Sequence, residues 1–258
     1  MVYSHPSGAH RRAATFLGTH LSSHGYVVVA LDHREDETPE RKIADRVPDV
    51  RFLLDHLLEG PAWTSEANLD PARIGIVGHS FGGWTALAVP DVEARIHAVV
   101  ALAPGGASRR KPGILPLTLT FTWGRDVPTL YLVAEDDAYL PLAGMYELYD
   151  RTPATRQMVI LRRADHYHFM DDVEGLHEAA RATPFTGELA WIPKDMRPIA
   201  ELCSGDQARV FVRGLTLCHL DAMLRRQEEA RRLWAGDLEA ELAGRGVAAL
   251  CAGRLPRG

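Results

Sequence analysis

Cysteine is scarce in this sequence: Cys203, Cys218 and Cys251 are the three in 258 residues. Three cannot all pair internally, they are too few for a disulfide framework, and none sits in a CxxC pair that would suit structural zinc. The expectation is free thiols in a reducing compartment, with a Cys203–Cys218 bridge as the alternative. Long apolar runs are missing as well, since none approaches the ~18–20 residues needed to span a bilayer. The opening residues MVYSHPSG lack the basic-then-apolar pattern of a secretory leader. A cytoplasmic protein is therefore expected, with secretion left open if a leader lies upstream of this sequence. Clustered basic charge is absent, and a net charge of −5 gives no electrostatic case for a nucleic-acid partner. There is no internal repeat and no low-complexity linker. What remains is ordinary globular composition, 46% apolar and 24% charged. A single sheet-centred core is enough for a chain of this length.

Short apolar runs alternate with longer helical patterns, the signature of βαβ units around a parallel sheet. The runs are Met1–Ser4, Tyr26–Leu31, Arg73–Gly78, Ile96–Ala103, Thr129–Ala134 and Gln157–Leu161. Most lack strict alternation, as expected of strands covered on both faces. Helices are predicted over Ala13–His24, over 43–58 with Ile43, Val47, Val50, Leu54 and Leu57 on one stripe, over Gly83–Val89 and over Asp206–Arg226. Residues Gly105–Asp126 form a long connection, read either as a loop or short helix against the core or as a flap over the site. Residues 227–258 read as a charged helical tail following a domain at 1–226.

The most informative stretch runs Arg73-Ile-Gly-Ile-Val-Gly-His-Ser-Phe-Gly-Gly-Trp. Gly78 to Gly82 spell GxSxG directly after a strand and before a helix, the context of a nucleophile elbow carrying Ser80. Side chains at the flanking glycine positions would collide with the neighbouring strand and helix. The helix N-terminus aims backbone N–H groups and partial positive charge at the reacting centre. His79, adjacent in sequence, is expected to shape the turn rather than act as base.

A neutral serine needs an imidazole to take its proton and a carboxylate to orient that imidazole. With this elbow they follow in the order Ser, Asp or Glu, His. Glu135, Asp136 and Asp137 come at once after the run Thr129–Ala134; Asp137 is preferred and Asp136 is its rival. After the next run, His166 is preferred as base over His168. A His166–His168 metal pair lacks a third ligand, so no metal is expected. The backbone N–H of Phe81 should be one oxyanion donor. The turn Ser4-His5-Pro6-Ser7-Gly8 should supply the other, with Ser7 favoured because Pro6 has no N–H. Trp84, Trp123 and Tyr139 are candidate substrate contacts by their closeness to the loops that carry the triad.

These residues resemble the dienelactone-hydrolase and platelet-activating-factor-acetylhydrolase-like branch of the α/β-hydrolase superfamily, over most of residues 1–226. The likeness rests on Tyr-Ser-His-Pro-Ser-Gly, Ser-His-Gly-Tyr-Val-Val-Val-Ala-Leu-Asp-His-Arg, Arg46 with Asp49, Asp70-Pro-Ala-Arg through the elbow, and Ala-Asp-His-Tyr-His-Phe. Cutinase-like polyester hydrolases share much of the same outline. The resemblance implies an α/β-hydrolase fold, a mostly parallel sheet with helices on both faces. It further implies cofactor-free cleavage of a small-molecule ester through an acyl-enzyme on Ser80, Asp137 and His166, by a monomer or homodimer. A peptidase or amidase on the same fold, and a non-catalytic binding protein, are the alternatives. Two departures stand out. His5-Pro6 stands where relatives often have His-Gly, and relatives carry one or two strands before the one at Met1, so the expectation is either a shortened sheet with an exposed edge or a beginning that lies upstream of this sequence.

Overall fold

The computed structural model describes residues 1–59 and 69–252. Seven strands form one sheet among the described residues: β1 (Val2–Ser4), β2 (Val29–Ala30), β3 (Ile74–His79), β4 (Ile96–Leu102), β5 (Thr129–Ala134), β6 (Arg156–Leu161) and β7 (Ala249–Ala252). Their order is β2-β1-β3-β4-β5-β6-β7, parallel throughout except that β7 runs antiparallel to β6. β3 and β5 are buried at every position and β4 at all but His97. Their unbroken apolar runs thus belong to strands covered on both faces.

Two apolar clusters provide that cover. On one face Leu17 and Leu21 of α1 (Thr15–Ser23) pack with Phe211, Val212 and Leu215 from the last long helix. On the other, Val50 and Leu54 of α2 (Pro39–Glu59) pack with Leu87 of α3 (Phe81–Ala88) and with Met145 and Leu148 of α4 (Leu142–Arg151). Next along the chain come α5 (Val173–Ala182) and the short α6 (Ile192–Asp195). They carry a third, smaller cluster with Ala138 that sits over the sheet's edge of loops.

The last long helix, α7 (Gly205–Met223), opens on a reciprocal cap in which Ser204 and Gln207 satisfy each other's backbone N–H groups. After it, the expected boundary at residue 226 is not a break in packing. Helix α8 (Glu228–Ala235) lies against α7. Leu238 and Leu242 of α9 (Leu238–Gly244) are buried in the first cluster, and β7 completes the sheet. The charges of this segment face outward, so the sequence reads as solvated although its apolar stripe is core. Residues 253–258, the rest of the expected tail, lie outside the described residues.

The Gly105–Asp126 connection contains no helix. Leu117, Leu119, Phe121 and Trp123 are buried, while Thr118, Thr120 and Thr122 between them are exposed. An extended segment alternating in this way lays one face on the core. Asp91 pins its far end by accepting from the Thr120 and Thr122 hydroxyls at 2.6 and 2.9 Å.

Candidate active site

Every predicted site loop leaves the C-terminal end of a parallel strand, where open α/β sheets gather their ligands. The turn 5–8 follows β1, Ser80 follows β3, residues 135–137 follow β5, and the 162–168 stretch follows β6.

Ser80 has φ 56° and ψ −112°, a backbone conformation that L-residues avoid. The sheet and helix hold it there. The Ser80 N–H donates to the Leu102 carbonyl at 2.9 Å, and its carbonyl accepts from the N–H groups of Trp84 and Gly105 at 3.0 and 2.9 Å. Glycine is obligatory on both sides of the turn. A Cβ on Gly78 would collide with the Gly82 carbonyl, and one on Gly82 with the Ser4 carbonyl.

The three consecutive carboxylates have three different partners. Glu135 pairs with Arg162 at 3.2 Å and accepts from the Arg163 N–H. Asp136 is half-buried and pairs through one oxygen with the exposed Arg197 at 3.1 Å. Asp137 is buried: one oxygen accepts from the Tyr139 and Leu140 N–H groups at 2.9 and 2.8 Å, and the other from His166 Nδ1 at 2.8 Å. Burial disfavours a charge on His166, but the Asp137 charge and hydrogen bond outweigh it, with Asp165 adding to them. The net effect holds the imidazole above its ordinary value.

His168 does not share that space. Its Nδ1 faces Asp165 at 2.9 Å and its Nε2 donates to the Cys203 carbonyl at 3.0 Å. Asp165 also receives His177, whose Nε2 donates to the Arg197 carbonyl at 2.9 Å. This buried Asp165–His168–His177 cluster, together with the Tyr167 N–H bonded to Asp165, fixes the short turn that presents His166. Cys203 and Cys218 are buried and unlinked.

Ser80 and His166 line one cavity of about 410 Å³. None of the hydrogen bonds of the described residues joins them in this resting state, which is common before substrate tightens a site. Ser7, Gly8 and Phe81 border the same cavity. The Gly8 N–H is engaged by Glu35 at 3.1 Å. The remaining wall is apolar, built from Leu115 and Leu117 on one side and Leu176, Phe185, Leu189 and Ile192 on the other. Among the described residues, no Asp, Glu, Lys or Arg lines it. The two sides are tied together next to this lining, where Lys111 pairs with Asp195 at 2.7 Å and the Trp191 indole N–H donates to the Pro112 carbonyl at 3.1 Å.

Of the three expected pocket aromatics, only Tyr139 is in the wall. It is joined there by Tyr167, which the sequence did not single out, through a 2.8 Å hydroxyl contact. Trp84 and Trp123 are corrected to core residues. Trp84 turns its indole away to donate to the Thr118 carbonyl at 2.7 Å, and Trp123 packs edge-on to Phe121. Closeness in sequence to a site loop does not fix the face on which a ring emerges.

The sheet, its order and the elbow after β3 define an α/β-hydrolase fold. The family described as PET hydrolase-like matches residues 8–209, and the chain belongs to it. Cutinase Est1 of Thermobifida alba is 25% identical over 197 residues, covering 74% of this chain and 59% of the cutinase. A platelet-activating factor acetylhydrolase of Cavia porcellus is 23% identical over 222 residues, 66% of this chain and 48% of that protein. A ferulic acid esterase structure from Streptomyces cinnamoneus shares the fold at TM-score 0.63 and 24% identity, covering 88% of this chain and 67% of that one. Among the described residues, no helix is long and apolar enough to cross a membrane.

Proposed function

We propose that this chain is a serine hydrolase that cleaves carboxylic esters through an acyl-enzyme on Ser80. The observation that carries the reading is a buried Asp137–His166 hydrogen bond opening onto the same cavity as a serine held in a strained turn. His166 Nε2 takes the Ser80 proton as the hydroxyl attacks the ester carbonyl, and the Phe81 and Ser7 N–H groups receive the oxygen that becomes negative. The imidazolium then protonates the departing alcohol. Water repeats the sequence on the acyl-enzyme and releases the acid.

The apolar, uncharged wall supports neutral esters with a compact acyl or alcohol group, and about 410 Å³ is near the small end of ligand cavities. The likeness to cutinases and to a PET hydrolase-like family supports ester over amide bonds. The unlinked Cys203 and Cys218 thiols support a cytoplasmic setting.

A fluorophosphonate probe tests this reading. Expected are a covalent adduct on the peptide containing Ser80 and a one-equivalent burst of nitrophenol from a short nitrophenyl ester. A folded protein showing neither the adduct nor the burst refutes the proposal.

The acid partner has its own test. Asp137→Asn should lower kcat/KM roughly 10³–10⁴-fold at neutral pH, since the imidazole loses both its tautomer and its orientation. The acidic limb has a defined sign as well. His166 must be neutral to act, and Asp137 raises its proton affinity, so wild-type activity should rise with pH through a midpoint above the ordinary 6.5. In the variant, burial is opposed by Asp165 alone and the limb should move to lower pH. Equal loss in Asp136→Asn, with Asp137→Asn unaffected, would reassign the acid.

A further inference from the structure

Beneath the oxyanion turn lies a charge that the chemistry above leaves unused. Arg46 of α2 is 1% exposed, a rare state for arginine. Its guanidinium makes three contacts, and they converge. Nη1 donates to the His5 carbonyl, at the base of the turn that carries Ser7. Nη2 donates to Glu35, and the other oxygen of Glu35 accepts the Gly8 N–H at 3.1 Å, just past Ser7. The guanidinium carbon sits 4.0 Å over the ring of Phe81, the residue that supplies the first oxyanion donor.

One planar cation therefore touches both walls of the oxyanion hole. Lys42 also reaches Glu35, at 3.5 Å, on the oxygen that accepts the Gly8 N–H. The imidazole of His5 is fixed separately, accepting the His33 N–H at 3.0 Å, so the turn has anchors above and below. A purely structural ion pair would be expected to satisfy all its donors. Arg46 Nε is buried without a hydrogen-bond partner among the described residues, a cost that buys stacking over Phe81.

We propose that Arg46, with Glu35, is a positioning residue that sets the separation between the Ser7 and Phe81 N–H groups. It acts through the Gly8 N–H on one side and the Phe81 ring on the other. The proposal rests on the ester-hydrolase reading above. A lysine carries the charge but has no plane to stack and no fork to hold two acceptors. A displacement of about 1 Å at such a site costs on the order of 10²-fold in rate.

The experiment compares the wild type with Arg46→Lys and Glu35→Gln. Steady-state turnover of a short nitrophenyl ester is measured alongside inhibition by a trifluoromethyl ketone, which forms a tetrahedral adduct, and thermal melting as the folding control. Arg46→Lys should lower kcat on the order of 10²-fold with KM within about twofold, and ketone affinity should fall in step with kcat/KM. Glu35→Gln should move both in the same direction by about 10-fold, with the Phe81 stack left in place. If Arg46→Lys fails to fold, Glu35→Gln carries the test alone. A folded variant with wild-type kcat, or one that loses substrate and ketone binding equally, overturns the proposal. A wild type that neither labels with fluorophosphonate nor turns over esters overturns the hydrolase reading, and this one with it.

Discussion

Ser80→Ala is expected to reduce ester turnover by about 10⁶-fold while leaving the fold intact. The change deletes one oxygen and nothing that holds the turn. The backbone bonds from Ser80 to Leu102, Trp84 and Gly105 persist, and the glycine contacts at 78 and 82 do not involve the side chain. What should survive is the oxyanion hole and the cavity, together worth roughly 10³–10⁴-fold over water. Progress curves with a short nitrophenyl ester at high enzyme concentration measure the residue of activity. Loss of less than about tenfold would mean that another group attacks the carbonyl. The variant should melt no lower than wild type, because the cost at Ser80 lies in its backbone and alanine adds no contact to lose.

Asp165→Ala should have the largest effect on stability. Asp165 is 2% exposed and serves two imidazoles and the Tyr167 N–H at once. Each histidine uses its second nitrogen on a backbone carbonyl, so removing the carboxylate strands the His177 Nδ1 and leaves His168 Nδ1 only the backbone N–H of residue 165, at 3.0 Å. Breaking such a buried pair costs about 3–5 kcal/mol, a large share of a typical 5–15 kcal/mol total. For a chain of this size that is a fall of roughly 10–15 °C in Tm. The pH dependence follows from the same cluster. Burial disfavours the Asp165 charge, but His168 and His177 overcome it and hold the carboxyl well below its usual 3.8. That stabilisation is present above 3.8 and is lost as pH falls. For His168, burial opposes the charge while Asp165 and the Cys203 carbonyl push it up to about 10, from 6.5. Its contribution is full below 6.5 and is lost as pH rises toward 10. Melting curves across pH should thus show the wild type favoured between 3.8 and 6.5 by this cluster. The variant should show a flatter profile. Equal slopes in the two proteins would show that the cluster does not govern this range.

The elbow was legible because its requirements are local. A strand, two glycines and a serine within five residues already fix the turn, and the collisions a Cβ would meet at Gly78 and Gly82 are the expected ones. The Asp137–His166 hydrogen bond was foreshadowed by order along the chain. Choosing these two over Asp136 and His168 needed the partners: Arg197 engages Asp136, and Asp165 occupies His168. Trp84 and Trp123 were misread because nearness along the chain says nothing of sidedness. For Trp123 a signal was present, since Leu117, Leu119, Phe121 and Trp123 alternate with three threonines and so belong to one buried face. β7 escaped notice because four residues in a charged segment carry too little pattern, and their partner Met158–Leu161 lies some ninety positions earlier. Arg46 is the clearest case of information absent from the local sequence. Nothing in α2 reveals that its arginine ends beneath a turn forty-one residues upstream.

If the substrates are the neutral esters proposed above, the cavity wall also bears on how the cycle would end. Hydrolysis turns an uncharged acyl group into a carboxylic acid, which ionises at neutral pH. An anion without a cation beside it is poorly tolerated in apolar surroundings. Leu115, Leu117, Leu176 and Ile192 offer it none. On the ester reading, the counter-charge beside that anion would be the His166 imidazolium, so release would follow as the imidazole gives up its proton to solvent.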